Sequence, residues 1–183
     1  THWAEPNPYA GLPKLNIYTF DLSLELKKYQ DNEHAFNFAE FFRVNDNGMF
    51  KHEKDVDAFL NLLASNDAKN YPYSKLEWRQ NLRHSLWTVP SVAAAAALSI
   101  KLRNHPVLGQ FQVVNVAGEG DTDADYESTD ALKMVKEAIG PNPEETMTIT
   151  LSRGRLTTGV TVPAWTAVFM LHGSFSTAAA SYM

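Results

Sequence analysis

Two prolines, Pro90 and Pro106, fence a run in which Ala93, Ala94, Ala95, Ala96 and Ala97 follow one another. Alanine is the strongest helix former, and proline is tolerated at a helix boundary but not in its interior. The run therefore predicts one helix over 92–103, with Ser91 as N-cap and Asn104, His105 and Pro106 as the stop. Its first half is small and apolar on every side, the pattern of a buried helix. A chain that buries such a helix must surround it.

The stretch before it carries a different pattern. From Ser74 the sequence SKLEWRQNLRHSLW places Lys75, Arg79 and Arg83 at i, i+4 and i+8, while Leu76, Leu82, Leu86 and Trp87 supply an apolar side. This spacing predicts an amphipathic helix with one basic ridge. Between 75 and 105 five cations stand against Glu77 alone, so a chain of formal net charge −5 carries one locally basic region.

Residues 1–14 contain Pro6, Pro8, Pro13 and Gly11 and read as an extended N-terminal arm. Partial alternation over 15–26 leans to a strand. Phe36, Phe38, Phe41 and Phe42 crowd a short helical segment that ends at the turn Asn45-Asp46-Asn47-Gly48. A helix is expected over 53–63, where Val56, Phe59, Leu60 and Leu63 share a side, with 66–72 as its exit loop. Further on, 111–116 reads as a strand, GEGDTDADYESTD as an exposed acidic loop, and 131–139 as a helix stopped by Gly140-Pro141.

Over the last forty residues the period becomes two. Met147, Ile149 and Leu151 alternate with Thr148 and Thr150, Arg153-Gly154 offers a turn, and Leu156, Val160 and Val162 mark a returning strand. A third strand is expected over 165–172, and 174–183 reads as a small-residue C-terminal tail. The expected fold is a single α+β domain over 1–183, its helix-rich N-terminal two-thirds packed on a C-terminal antiparallel β-meander.

Composition excludes several kinds of chemistry. With no cysteine there is no disulfide, thiolate, zinc-finger or iron–sulfur chemistry. No run approaches the roughly 20 apolar residues of a membrane span, and the N-terminus lacks the regions of a signal peptide. The six histidines form no His-x-x-x-His or Glu-x-x-His pair, so no metal site is expected. Two calcium-loop resemblances fail, since Arg43 and Lys54 occupy carboxylate positions in one and Tyr126 and Leu132 the glycine and glutamate positions in the other. There is no Gly-x-Ser-x-Gly elbow, P-loop or Gly-x-Gly-x-x-Gly turn, so no cofactor is expected.

The basic residues remain. Lys75, Arg79 and Arg83, with Arg153 and Arg155 in the hairpin turn, are the candidate nucleic-acid contacts, with Trp78 available for stacking. No family is recognisable in the sequence. Its reading is a self-assembling structural protein, most concretely a viral coat subunit packaging single-stranded nucleic acid, in a virion or cytoplasmic, with the arm and tail holding neighbouring copies. The alternative is an enzyme or small-molecule binder whose site is assembled from scattered residues such as His34, His84 and acidic partners. A third reading is a membrane-active toxin inserting 93–100 or 162–171.

Overall fold

The structure, a computed structural model, describes residues 28–29, 36–64, 73–118, 124–157 and 159–173. The arm, the strand over 15–26, the loop over 66–72 and the tail all lie outside the described residues. In chain order the elements are α1 (Phe38–Phe41), α2 (Glu53–Ala64), α3 (Leu76–Asn81), β1 (His84–Thr88), α4 (Val92–Asn104), β2 (Gln112–Asn115), α5 (Ala124–Ile139), β3 (Thr148–Ser152) and β4 (Ala167–Met170). A 3-10 turn at Leu108–Gln110 joins α4 to β2.

The strands form one sheet in the order β2-β3-β1-β4, and every pairing is parallel. In register, Ser85 lies between Ile149 and Ala167, and Trp87 between Leu151 and Phe169. The molecule is therefore an α/β arrangement, which corrects the expected antiparallel meander. Parallel neighbours need crossover connections, and α4 and α5 supply them between β1, β2 and β3. Arg153-Gly154 does turn the chain, but among the described residues no strand returns from it. Residues 153–166 instead carry the chain past β1 to β4 on its far side.

Strand alternation divides the core into two layers. Val113, Ile149, Leu151, Trp87 and Phe169 face Ala94, Ala95 and Leu98 of α4, together with α1 and α2. On the other face Val114 and Val116 meet Ala131, Val135 and Ile139 of α5, with Leu156 and Val162 closing the layer. With both faces covered, β3 is buried at every position, its threonines included. This is why alternation misled. It marks a half-solvated strand only when one face meets water.

Helix α4 follows its sequence in bounds and cap, but it is not buried on every side, since Ala93, Ala96 and Ile100 are exposed. The Ser91 hydroxyl accepts the Ala94 amide at 3.0 Å, and Ala94, Ala95, Ala97 and Leu98 are buried. The ridge helix does not. It stops after one and a half turns, and the residues after Arg83 become β1, buried throughout. Burial on the sheet outweighed the helical spacing of Leu82, Leu86 and Trp87. Likewise α5 starts at Ala124, so most of the expected acidic loop is its first turns.

Lys101 ties α4 to α2, with its ammonium 2.7 Å from Glu53 and 2.8 Å from Asp57. Near the start of the described chain, Asp55 of α2 accepts from the Lys28 ammonium at 2.8 Å and from the Tyr29 phenol. These bonds, that from Lys28 foremost, hold the Asp55 carboxyl below the usual carboxylate range.

Ser91→Ala is expected to destabilise the fold by about 1 kcal/mol, the usual loss for an N-cap, read as a lower urea midpoint. A depressed carboxyl stabilises the fold above its unfolded pKa of about 3.9 and loses that contribution as pH falls below it. Asp55→Asn should therefore flatten the fall in urea midpoint between about pH 5 and 2.

Candidate functional site

Open parallel sheets bind ligands beyond the carboxyl ends of their strands, where the loops converge. Here four exits meet at one edge. Backbone bonds carry the ladder past the strands, from Val89 N to Ser152 O at 2.8 Å, Val116 N to Leu151 O at 2.9 Å and Leu171 N to Thr88 O at 2.8 Å. The edge is thus built from 89–91 after β1, 116–118 after β2, 153–157 after β3 and 171–172 after β4.

The loop after β3 is the most constrained of these. Gly154 has φ +89°, and Leu156 has φ +59°, the one non-glycine residue in the left-handed region among the described residues. Burial of the Leu156 side chain against the α5 layer holds that conformation in place. The Ser152 hydroxyl donates to Arg155 O, and the Thr157 hydroxyl donates to Gly154 O at 2.5 Å. With the Gly154 and Arg155 carbonyls engaged by the Thr157 and Ser152 side chains, Arg153 stands exposed to solvent. Arg155 is half-buried and lies across the β2 exit, its Nη1 3.5 Å from Val116 O. Beyond β4, burial pushes the His172 imidazole below its usual pKa, favouring the neutral form at pH 7.

The ridge residues lie at the opposite edge. Arg83 immediately precedes β1, and its carbonyl accepts the Thr148 amide at 2.7 Å. Arg153 follows the far end of the paired strand, so about six residues, or roughly 20 Å, separate the two clusters. The structure does not bring them together. Lys75 is exposed at the start of α3, whereas Arg79 is half-buried and donates from Nε to Tyr73 O at 2.6 Å. Trp78 is half-buried as well.

The scattered histidine site fares differently. His34 lies outside the described residues. His84 is buried with both ring nitrogens engaged, Nδ1 with the Thr148 hydroxyl at 2.9 Å and Nε2 with Pro143 O at 2.8 Å. Such a ring is a structural tie between β1 and β3. Tyr73, Ser85 and Trp87 form a second buried network, in which the Ser85 hydroxyl is 2.9 Å from the Tyr73 phenol and accepts Trp87 Nε1 at 3.0 Å. Burial pushes the Tyr73 phenol up to about 12, against the pull of its bonds to Ser85 and Trp87. Among the described residues no group of three or more His, Asp or Glu side chains is placed to hold a metal ion. A shallow groove of about 530 Å³ runs along Leu132, Lys136 and Pro141, at the far end of α5 from the strand exits.

The loop pairing between 116–118 and 153–157 was not foreseen from sequence. Its available signal was the alternation of strand and helix from 84 to 152, which predicts a parallel sheet once β1 is recognised.

Among curated proteins, the chain resembles one from Mycoplasma pneumoniae whose name proposes the C-terminus of a type II restriction enzyme and methyltransferase. The two are 28% identical over 188 residues, covering 89% of this chain and 25% of that protein. The chain thus spans about a quarter of the length of the curated relative it matches. No family model matches the sequence. No solved structure matches it either. A resemblance to a protein named for restriction and methyl transfer overturns the coat-subunit reading, and with it assembly as the function. No helix among the described residues is long and apolar enough to cross a membrane, and of the two segments of the toxin reading 93–100 belongs to α4 while 162–171 contains β4 of the sheet.

Arg79→Ala is expected to cost about 1.5–3 kcal/mol, the range for a hydrogen bond to a charged group, by leaving the Tyr73 carbonyl unpaired. Chemical denaturation checks this. Lys75→Ala, at an exposed position, should stay within about 0.5 kcal/mol of the parent.

Proposed function

We propose that this chain is a nucleic-acid-contacting α/β module of an enzyme that acts on DNA in restriction and modification. DNA phosphates meet it at the C-terminal edge of the parallel sheet, with Arg153 as the principal contact. The observation that carries this reading is an exposed arginine on a rigidly bonded loop at that edge. The Mycoplasma pneumoniae relative supports the choice of DNA.

Rigidity matters because an arginine on a fixed loop loses less freedom on binding than one on a mobile loop. The formal net charge of −5 makes general attraction to nucleic acid weak, so contact depends on where cations are placed. Lys75, with Arg79 and Arg83 behind it, forms a second basic surface at the opposite edge. A strand held at Arg153 reaches that surface only by passing across the molecule.

Fluorescence anisotropy with labelled single-stranded and duplex oligonucleotides, over a salt series, tests the reading. Arg153→Ala should flatten the slope of log affinity against log salt by about 0.7 on a single strand or about 0.9 on a duplex. Lys75→Ala should change it independently if the second surface is engaged at the same time. An unchanged slope for Arg153→Ala, or no binding by the parent chain at about 50 mM salt, would overturn the proposal.

A further inference from the structure

Gly118 ends the segment leaving β2. An added Cβ there would stand 2.2 Å from Arg155 Nη1, 2.3 Å from Nη2 and 2.4 Å from Cζ. The guanidinium therefore occupies the space that a side chain at 118 would fill, while its Nη1 points to Val116 O. The Arg155 backbone is held from its own side, because its carbonyl accepts the Ser152 hydroxyl and Leu156 next to it is buried. One end of the residue is fixed to β3 and the other lies over the exit of β2.

We propose that Arg155 is a positioning residue that uses the empty side-chain space of Gly118 to lock the β2 exit against the loop bearing Arg153. Contact at Arg153 then depends on an arginine that does not itself hold phosphate. This rests on the phosphate-binding reading above for its functional consequence, but the lock itself is a property of the two loops. Gly118 is not in the left-handed backbone region, so alanine is acceptable there except for the guanidinium. That group is the far end of a flexible side chain, so a methyl at 118 displaces it and leaves the fold intact.

The experiment compares Gly118→Ala, Arg155→Ala, Arg155→Lys, the Gly118→Ala/Arg155→Ala double variant and the parent chain. Hydrogen exchange of the amides in 116–118 and 153–157 reads the lock, and oligonucleotide anisotropy over a salt series reads the consequence. Both alanine variants should speed exchange in both loops and weaken oligonucleotide affinity by about fivefold or more, with the double variant no worse than the weaker single, as for residues in contact. Lysine keeps the charge but lacks the planar fork. A positioning role predicts that Arg155→Lys behaves like Arg155→Ala.

If Arg155→Lys instead binds like the parent while Arg155→Ala loses one phosphate's worth of salt dependence, Arg155 is itself a phosphate contact and the positioning role is overturned. Independent, multiplying effects of the 118 and 155 substitutions would overturn it as well, as would exchange that changes in only one loop. If the parent binds no oligonucleotide, the phosphate reading fails by itself, and coupled exchange in the two loops still decides whether the lock exists.

Discussion

Strands β1 and β3 lie side by side with every residue of both out of water, and the remainder of the fold answers to that burial. A strand buried on both faces needs a packed layer on each, which α4 and α5 provide. It must also satisfy every polar group it carries, and this pair carries several. His84 bonds Thr148 across the pair, Ser85 joins Tyr73 and Trp87, Thr88 donates to the Phe169 carbonyl, and Ser152 holds Arg155. The Thr150 hydroxyl alone in these two strands is buried without a partner. Polar groups in the middle of the sheet thus serve as fixed points for the elements around them.

One of those fixed points organises the candidate site. Ser152 ends β3 and bonds forward into its own exit loop, and that loop presents Arg153 outward and Arg155 sideways. Two neighbouring arginines therefore have different surroundings, one exposed and one against the adjacent loop. The basic residues before β1 are separated from them by the length of a strand. A single basic groove combining all five cations does not exist in this fold.

Helix α4 and its cap were legible because alanine propensity, a serine and two prolines act locally and agree. Helix α2 was legible for the same reason, its buried Val56, Leu60 and Leu63 recurring at helical spacing. Strand β1 was not. Leu82, Leu86 and Trp87 also fall at helical spacing, and only the strands on either side decide the matter. Sheet direction was misread for a related reason, since the alternation in β3 reflects the chemistry of two buried faces rather than a wet and a dry one. Arg153 was found as a turn residue, whereas the approach of Arg155 to Gly118 exists only after the sheet brings the two loops together.

Leu156 carries two demands that few residue types meet together. Its backbone, at φ +59°, suits glycine or asparagine, while its buried side chain completes an aliphatic layer with Val114, Val135 and Val162. Glycine or asparagine would ease the torsion and leave a hole or an unpaired amide. Valine or isoleucine would fill most of the space and raise the torsional penalty through branching at Cβ. Position 156 is consequently narrowed from both directions in mutational space, leaving side chains of leucine's size without branching at Cβ, methionine foremost, as the exchanges the layer beneath it accepts.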